Sequence, residues 1–399
     1  MKSPLKPSPA SLTKPVRRRI TLVICHMRLG GAQRVISAMA NYWNRQGCEV
    51  TLMSVEHGEL PTFYPLDEGV RHVDFQWGKV FAAALPKLRW PMTLVALRFA
   101  LQRTRPHVIV TFLNTTNIRV LAATCWSGIP VIACERNDPH QDLIGKTWER
   151  WRDWLYPTAA AVVAQTQSAM AYFSADLRRQ GAVIPNWVLP PPLVRRPGEK
   201  ASAGGGRELI AMGRLAEQKG FDLLLEAFAR VAGRHPDWRL TIWGEGTERA
   251  RLEALVTQLG LADRVRLPGA TQQPFEKYQA ADLFVFSSRY EGFPNALCEA
   301  MACGLPVISF NCPSGPGEII RQEVDGLLVA PGDVAALAAT LARAMGDADL
   351  RARLAARAVE IVERFSFETV MVQWEALLAK HAKSALPAAS GLAGDQKNA

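Results

Sequence analysis

Two glutamates, Glu291 and Glu299, stand eight positions apart in the segment Ser287-Ser-Arg-Tyr-Glu-Gly-Phe-Pro-Asn-Ala-Leu-Cys-Glu-Ala-Met-Ala-Cys-Gly-Leu-Pro-Val-Ile308. The apolar run that ends at Ser287 reads as a buried strand, Glu291 falls on the polar loop after it, and Pro294-Asn295 opens a helix reaching Ala302. The first N–H groups of that helix face the carboxyl edge of a sheet, where free donors and the helix dipole favour an anion. One glutamate is on a loop and the other inside the helix, so helical periodicity does not fix their separation and they can reach different parts of one ligand. Vicinal hydroxyls, such as those of a sugar or a ribose, suit carboxylate acceptors. Alone, Glu299 reads more readily as a solvated glutamate that stabilises the helix dipole. The segment around it turns that reading towards function.

The elements that must position these residues alternate between strand and helix. Arg19–Cys25 predicts a strand, Gly30-Gly31 a turn, and Ala32–Gln46 a helix; further strands are expected at Cys48–Val55, His107–Phe112, Pro130–Cys134 and Ala160–Gln165. A Pro/Gly/Ser-rich stretch then predicts a linker over 189–206. A second series follows, with strands at Glu208–Met212, Arg239–Trp243, Val265–Leu267, Ala281–Ser287, Pro306–Ser309 and Gly326–Val329, and a helix starting at Glu318–Ile320. Continuous apolar strands alternating with helices imply parallel α/β sheets. The expected organisation is a disordered basic leader (1–18), an N-terminal Rossmann-like domain (19–188), a C-terminal one with a closing helix (207–385) and a disordered tail (386–399), with a ligand cleft between the domains.

A chain of 399 residues with 48% hydrophobic and 21% charged residues suits two domains better than one small binding module. Its net charge of +10 invites a nucleic-acid or membrane reading, so the placement of the charge matters. Residues 1–185 hold 23 basic and 12 acidic side chains, whereas residues 186–399 hold 24 and 25. The whole excess therefore lies in the first half. Seven cysteines without a CxxC pair or zinc-type spacing suit free thiols in a reducing compartment. The leader is broken by four prolines and has no apolar core, so it is not a secretory signal, and no apolar run is long enough to span a bilayer.

The core Glu291-Gly-Phe-Pro-Asn-Ala-Leu-Cys-Glu299 resembles the donor-binding signature of retaining glycosyltransferases of family 4, and the resemblance covers nearly the whole expected ordered chain. It implies the GT-B fold, an α/β class of two Rossmann-like domains facing across a cleft. It also implies that Glu299 holds a nucleotide ribose and that Glu291 with Gly292 and Phe293 lies against the donor sugar. Backbone amides around Asn295, Ala296 and Leu297 would then meet the sugar and diphosphate. Gly213-Arg-Leu-Ala-Glu-Gln-Lys-Gly220 resembles a second family segment, in which the residues matching Arg214 and Lys219 bind the diphosphate. A planar guanidinium and an ammonium can stabilise charge on a departing diphosphate without a metal, so neither metal nor cofactor is expected. Leu29-Gly-Gly-Ala-Gln-Arg34 resembles a third motif, in which Gly30 and Gly31 admit a close backbone approach. Arg214, Lys219 and Glu291 are thus the expected catalytic groups. Many family members place a histidine after a strand like Val131–Cys134; here the loop reads Cys134-Glu-Arg-Asn-Asp-Pro139, with Arg136 at that place or the alignment displaced by several residues.

The stretch Phe310–Ile320 and the loop at Arg136 are similar to bacterial enzymes that add galactose or N-acetylhexosamines to polyprenyl-diphosphate-linked saccharides. That resemblance implies a UDP-sugar donor and a lipid-linked saccharide acceptor. From Phe75 through Cys134 there is no Asp or Glu, but seven bases, including Lys79, Lys87, Arg89 and Arg98. Eight of the eleven tryptophans also precede residue 188. Bases among amphipathic segments with Trp suit an anionic membrane surface, so Lys79, Lys87, Arg89, Arg98 and Arg136 are candidate acceptor or membrane residues. The expected location is cytoplasmic, peripheral on the inner face of the plasma membrane. Trp148, Trp151 and Trp154 recur at near-helical spacing beside Arg150 and Arg152, which suits insertion at a membrane interface or, more readily, a helix packing its tryptophan faces into the core. A nucleotide-sugar 2-epimerase would need a matching histidine or carboxylate pattern, which is not found. A nucleic-acid-binding or scaffold protein would rest on charge alone, so no nucleic-acid partner is expected.

Overall fold

Short β-branched runs separated by amphipathic helices build two parallel sheets in the computed structural model, which describes residues 18–28, 30–56, 62–75, 86–141, 144–192 and 207–382. The first sheet contains β1 (Arg19–Ile24), β2 (Glu49–Ser54), β3 (Arg71–Asp74), β4 (Val108–Phe112), β5 (Val131–Cys134), β6 (Ala161–Ala164) and β7 (Ala182–Val183), ordered 3-2-1-4-5-6-7. The second contains β8 (Arg207–Met212), β9 (Trp238–Trp243), β10 (Val265–Gly269), β11 (Leu283–Phe286), β12 (Val307–Phe310) and β13 (Leu327–Val329), ordered 10-9-8-11-12-13. Both orders reverse beside their first strand, between β1 and β4 and between β8 and β11. Such reversals are where doubly wound sheets bind ligands, outside the carboxyl ends of the strands.

The central strands β4, β5, β6, β11 and β12 are buried along their whole length, because helices cover both faces. In the second sheet one face packs under Phe221, Leu224, Leu225 and Phe228 of the helix Phe221–Ala232. The other face meets Leu297, Ala300 and Met301 of the helix Asn295–Ala302. The sheet therefore fixes the entry of that second helix within a dry layer.

All the expected strands and most of the expected helices form, with two differences in the strands. The four-residue β3 is an edge strand of half-exposed residues and β7 has only two residues, so neither carries an apolar run. The helix expected to start at Glu318 is instead a single turn, Pro316–Ile319, ending with Ile320 extended. Spatially the chain divides into two compact units. Of the described residues, one unit holds those in 18–134, 144–162 and 378–382; the other holds those in 135–141 and 163–377. This differs from a cut at residue 188, because the loop after β5 and the segment from the middle of β6 onward associate with the second unit. Residues 1–17, most of the expected linker (193–206) and the expected tail (386–399) lie outside the described residues.

The tryptophans of the helix Lys146–Leu155 differ from expectation. Trp148 packs edge-on against Trp90 at 5.5 Å and lies under Arg119. Trp151 and Trp154 are 36% and 60% exposed, stacked edge-on against each other. Only one of the three is spent on packing, because the helix buries just Arg152 and Leu155 on its inner face.

Candidate functional site

The second sheet's reversal brings together the exits of β8 and β11. After β8 the chain makes a short 3-10 turn, Glu217–Lys219, closed by Gly220 in the left-handed region at φ 59°. A Cβ at Gly220 would lie 2.1 Å from the Ser287 carbonyl oxygen, so only glycine allows the turn to press against the end of β11. Ser287 Oγ donates to the Lys219 carbonyl at 2.9 Å, Gln218 Nε2 donates to the Tyr290 carbonyl at 3.0 Å, and the Arg289 N–H donates to the Gln218 carbonyl at 2.7 Å. Arg289 also grips Asp222 through two bonds of 2.9 and 2.8 Å. Two loops distant in sequence are thereby laced into one platform.

On that platform Lys219 Nζ sits 2.5 Å from Glu291 Oε1, with both side chains largely buried. The Lys219 ammonium also lies over the Phe286 ring, 5.5 Å from its centroid. The buried Cys312 thiol faces the same cluster; burial, and then the negative charge of Glu291, push it up to about 12, so it is an inert neighbour. Arg214 is exposed at the exit of β8 and has no ion-pair partner among the described residues.

Past Glu291 the chain turns into the helix Asn295–Ala302, which has no side-chain cap and no acid in its first turn. The Asn295 N–H bonds to the Phe293 carbonyl and the Cys298 N–H to Pro294. The N–H groups of Ala296 and Leu297 have no backbone partner among the described residues. Gly292 lets this loop lie against a second backbone, since a Cβ there would be 2.3 Å from the Arg136 carbonyl oxygen. Phe293 is buried edge-on against Phe365. Glu299 lies farther along the helix, where Tyr278 Oη donates to it at 3.4 Å. The carboxylates, the free helix amides and the Lys219 and Arg214 cations occupy one edge of one sheet, an arrangement suited to a polyhydroxylated anion.

Arg136, expected among the acceptor or membrane residues, is instead 8% exposed within the second unit. It donates to Asn186 Oδ1, and Asn186 Nδ2 donates to Asn295 Oδ1 at 2.9 Å. A buried guanidinium does not face a bilayer. Asn186 was missed by the sequence reading because a single asparagine before a linker carries no pattern. The Asp138–His140 pair, three and five residues beyond Glu135, was missed too: His140 Nδ1 lies 3.0 Å from Oδ1 of the fully buried Asp138. The Asp-x-His spacing after a strand was the available signal. That contact orients the ring through Nδ1, and Nε2 has no hydrogen-bond partner among the described residues.

Gly30 and Gly31 stand in the first unit, where they end the exit from β1 and open the helix Gly31–Arg45. Arg98 donates to the Cys125 carbonyl at 2.8 Å, holding the end of the helix Asn114–Thr124. Lys79 and the side chains of Lys87 and Arg89 lie outside the described residues. Among the described residues there is no cluster of His, Cys, Asp and Glu able to hold a metal ion, and no helix is long and apolar enough to cross a membrane.

Comparison with known proteins agrees with this geometry. Residues 30–187 match the glycosyl transferase 4-like domain and residues 196–360 match the glycosyl transferases group 1 family. An exopolysaccharide phosphotransferase of Streptomyces coelicolor is 30% identical over 88% of the chain, which spans only 39% of that longer protein. A Campylobacter jejuni α-1,4-N-acetyl-D-galactosaminyltransferase, named for its action on a GalNAc-containing undecaprenyl-diphosphate-linked saccharide, is 26% identical over 91% of the chain and 98% of its own length. The fold matches that of Anabaena HepE, solved in complex with UDP, with a TM-score of 0.75 and 20% identity over 90% of this chain and 99% of that one. With two parallel α/β sheets of this strand order and family matches over both halves, the chain is a glycosyltransferase of the GT-B fold.

Proposed function

We propose that this enzyme moves a hexose or N-acetylhexosamine from a UDP-sugar to a lipid-linked saccharide, with retention of anomeric configuration, in the building of a bacterial cell-surface glycan. The observation that carries the reading is the Lys219–Glu291 pair beside the unbonded amides of Ala296 and Leu297, at the reversal of the second sheet. The names of the relatives support the class of acceptor: the Campylobacter jejuni enzyme is named for a polyprenyl-diphosphate-linked saccharide. The solved UDP complex of similar fold supports the nucleotide.

In this reading Glu299 accepts the ribose hydroxyls and Glu291 faces the sugar. Arg214, Lys219 and the first amides of the helix Asn295–Ala302 take the charge that grows on the diphosphate as the glycosidic bond breaks. The acceptor hydroxyl attacks the anomeric carbon on the face the diphosphate leaves, and a diphosphate oxygen takes its proton. Glu291 therefore supports charge and orientation without forming a covalent intermediate, and the step needs no metal. The first unit, with its basic excess, receives the acceptor at the cytoplasmic face of the plasma membrane.

A screen of UDP-sugars with a polyprenyl-diphosphate-linked saccharide, read as UDP release, tests the reading. One sugar should give turnover that Glu299→Ala and Lys219→Ala abolish, and NMR of the product should show retained configuration. An inverted linkage contradicts the mechanism, and conversion of a UDP-sugar without acceptor contradicts the reaction class.

A further inference from the structure

The amino edge of the first sheet, opposite the end that carries Gly30 and Gly31, gathers arginines that no part of the transfer chemistry uses. Arg19 and Arg71 are the first residues of β1 and β3, and Arg103 is the last residue of the helix Pro86–Arg103. Arg105 lies on the turn that follows, held in the left-handed region at φ 47° while its carbonyl accepts Arg19 Nε at 2.6 Å. These four residues line one cavity of about 810 Å³, in which Glu49 is the only acid. None of the four has an ion-pair partner among the described residues. Four like charges around one opening repel one another and attract an anion.

A second cavity of about 420 Å³ adjoins it and shares Arg71 and Arg103. Thr104 is common to both as well, and the remaining walls are apolar, from Met53 and Val73 to Ala96, Phe99 and Ala100. Phe99 is 60% exposed, and on the same helix Val95 and Met92 are also exposed, at spacings of three and four residues. An apolar groove that opens into an arginine cluster matches an amphiphile with an anionic head.

We propose that this edge binds an anionic phospholipid, with its phosphate among Arg19, Arg71, Arg103 and Arg105 and an acyl chain along the groove beneath Phe99. A free phosphate would use the arginines but leave the groove empty, so the two cavities together favour the lipid. The site is separate from the donor machinery and does not depend on which sugar is transferred.

Flotation with phosphatidylcholine vesicles, with and without roughly one-third phosphatidylglycerol, tests it. The full chain should bind the anionic vesicles, and Arg71→Gln with Arg103→Gln should weaken that binding about 25-fold, at about fivefold per arginine. Arg71→Lys with Arg103→Lys should keep most of it, Phe99→Ser should lower it, and inorganic phosphate should displace the protein far less well than a short-chain phosphatidylglycerol. UDP release in detergent should be unchanged in the glutamine pair, which separates failure here from failure of the transferase reading. Wild-type binding by a folded glutamine pair overturns the proposal. So does equal displacement by inorganic phosphate. If the glutamine pair does not fold, undiminished binding by Phe99→Ser overturns it as well.

Discussion

Lys219 and Glu291, 72 positions apart, meet at 2.5 Å and form one charged unit at the exits of β8 and β11. Each holds the other in a largely buried setting, so removing one leaves an uncompensated charge. Lys219→Ala should therefore destabilise the second unit by about 2 kcal/mol, and adding Glu291→Gln should recover part of the loss. Turnover should fall by roughly 10²-fold or more in either single variant, and by less than the product of the two in the double variant. Urea unfolding and UDP release measure the two effects; additive losses in both would show that the residues act independently.

The turn that delivers Lys219 depends on Gly220. Alanine there must adopt a left-handed conformation, costing about 1–2 kcal/mol, and its Cβ would stand 2.1 Å from the Ser287 carbonyl oxygen. Gly220→Ala should lower stability by more than the backbone cost alone and reduce turnover along with it. Gly233→Ala is the internal control, because its Cβ would meet nothing within 4 Å and its backbone is already helical. That change should be neutral or stabilising by about 0.4–1 kcal/mol. Equal melting temperatures for the two variants would refute the argument.

Much of this was legible because the elements that matter are locally encoded. The runs at β4, β5, β11 and β12 are apolar throughout since both faces are covered, and Gly220 and Gly292 stand where one backbone approaches another. The β3 and β7 strands were not legible, because an edge strand of four half-exposed residues and a two-residue strand have no periodicity. The Lys219–Glu291 contact was not legible either: the resemblance assigned the two residues to different parts of a ligand, and only the folded sheet brings them together. Trp151 and Trp154 show the limit of spacing, which marks a helix face without saying what covers it. Arg136 shows the limit of charge, since residue type suggests a surface and the fold buries it.

Asp222 gives the site a pH dependence. Burial pushes its carboxyl up, but the bonds and charge of Arg289 more than offset this and hold it below the usual carboxylate range. A carboxyl depressed in the folded state stabilises above its unfolded value, and that stability is lost as pH falls through the ordinary carboxylate range to the lower folded value. Asp222→Asn should therefore be less stable than the wild type at neutral pH, and the gap should narrow below about pH 4. A constant gap between urea midpoints at neutral and acid pH would count against the pair.

Trp151 and Trp154, exposed and stacked on each other, are where the proposed membrane attachment of the first unit can be tested. Trp154→Ser should weaken attachment to phosphatidylglycerol-containing vesicles without lowering the melting temperature, since its ring is 60% exposed and gives up little packing. Reversing Lys87 and Arg89 should weaken it further, at about fivefold per residue or more. Arg98 is unsuited to the test, because it holds the Cys125 carbonyl and its loss would loosen a helix end. Equal binding of all variants to neutral and anionic vesicles would remove the membrane from the proposed function.

Asn186 joins two loops through opposite ends of one amide, accepting from Arg136 and donating to Asn295. Asn295 is the first residue of the helix whose free amides are assigned to the donor, so the bridge sets the angle at which that helix begins. Asn186→Ala removes both bonds and leaves a buried guanidinium short of an acceptor, costing about 1–3 kcal/mol. Asn186→Asp is the sharper variant: it keeps an acceptor for Arg136, now an ionised carboxylate, but has no N–H to give Asn295. It should melt near the wild type while KM for the UDP-sugar rises and kcat falls. If Asn186→Asp keeps wild-type kinetics, the bridge is structural alone, and the helix entry is positioned by Gly292 and the sheet beneath it.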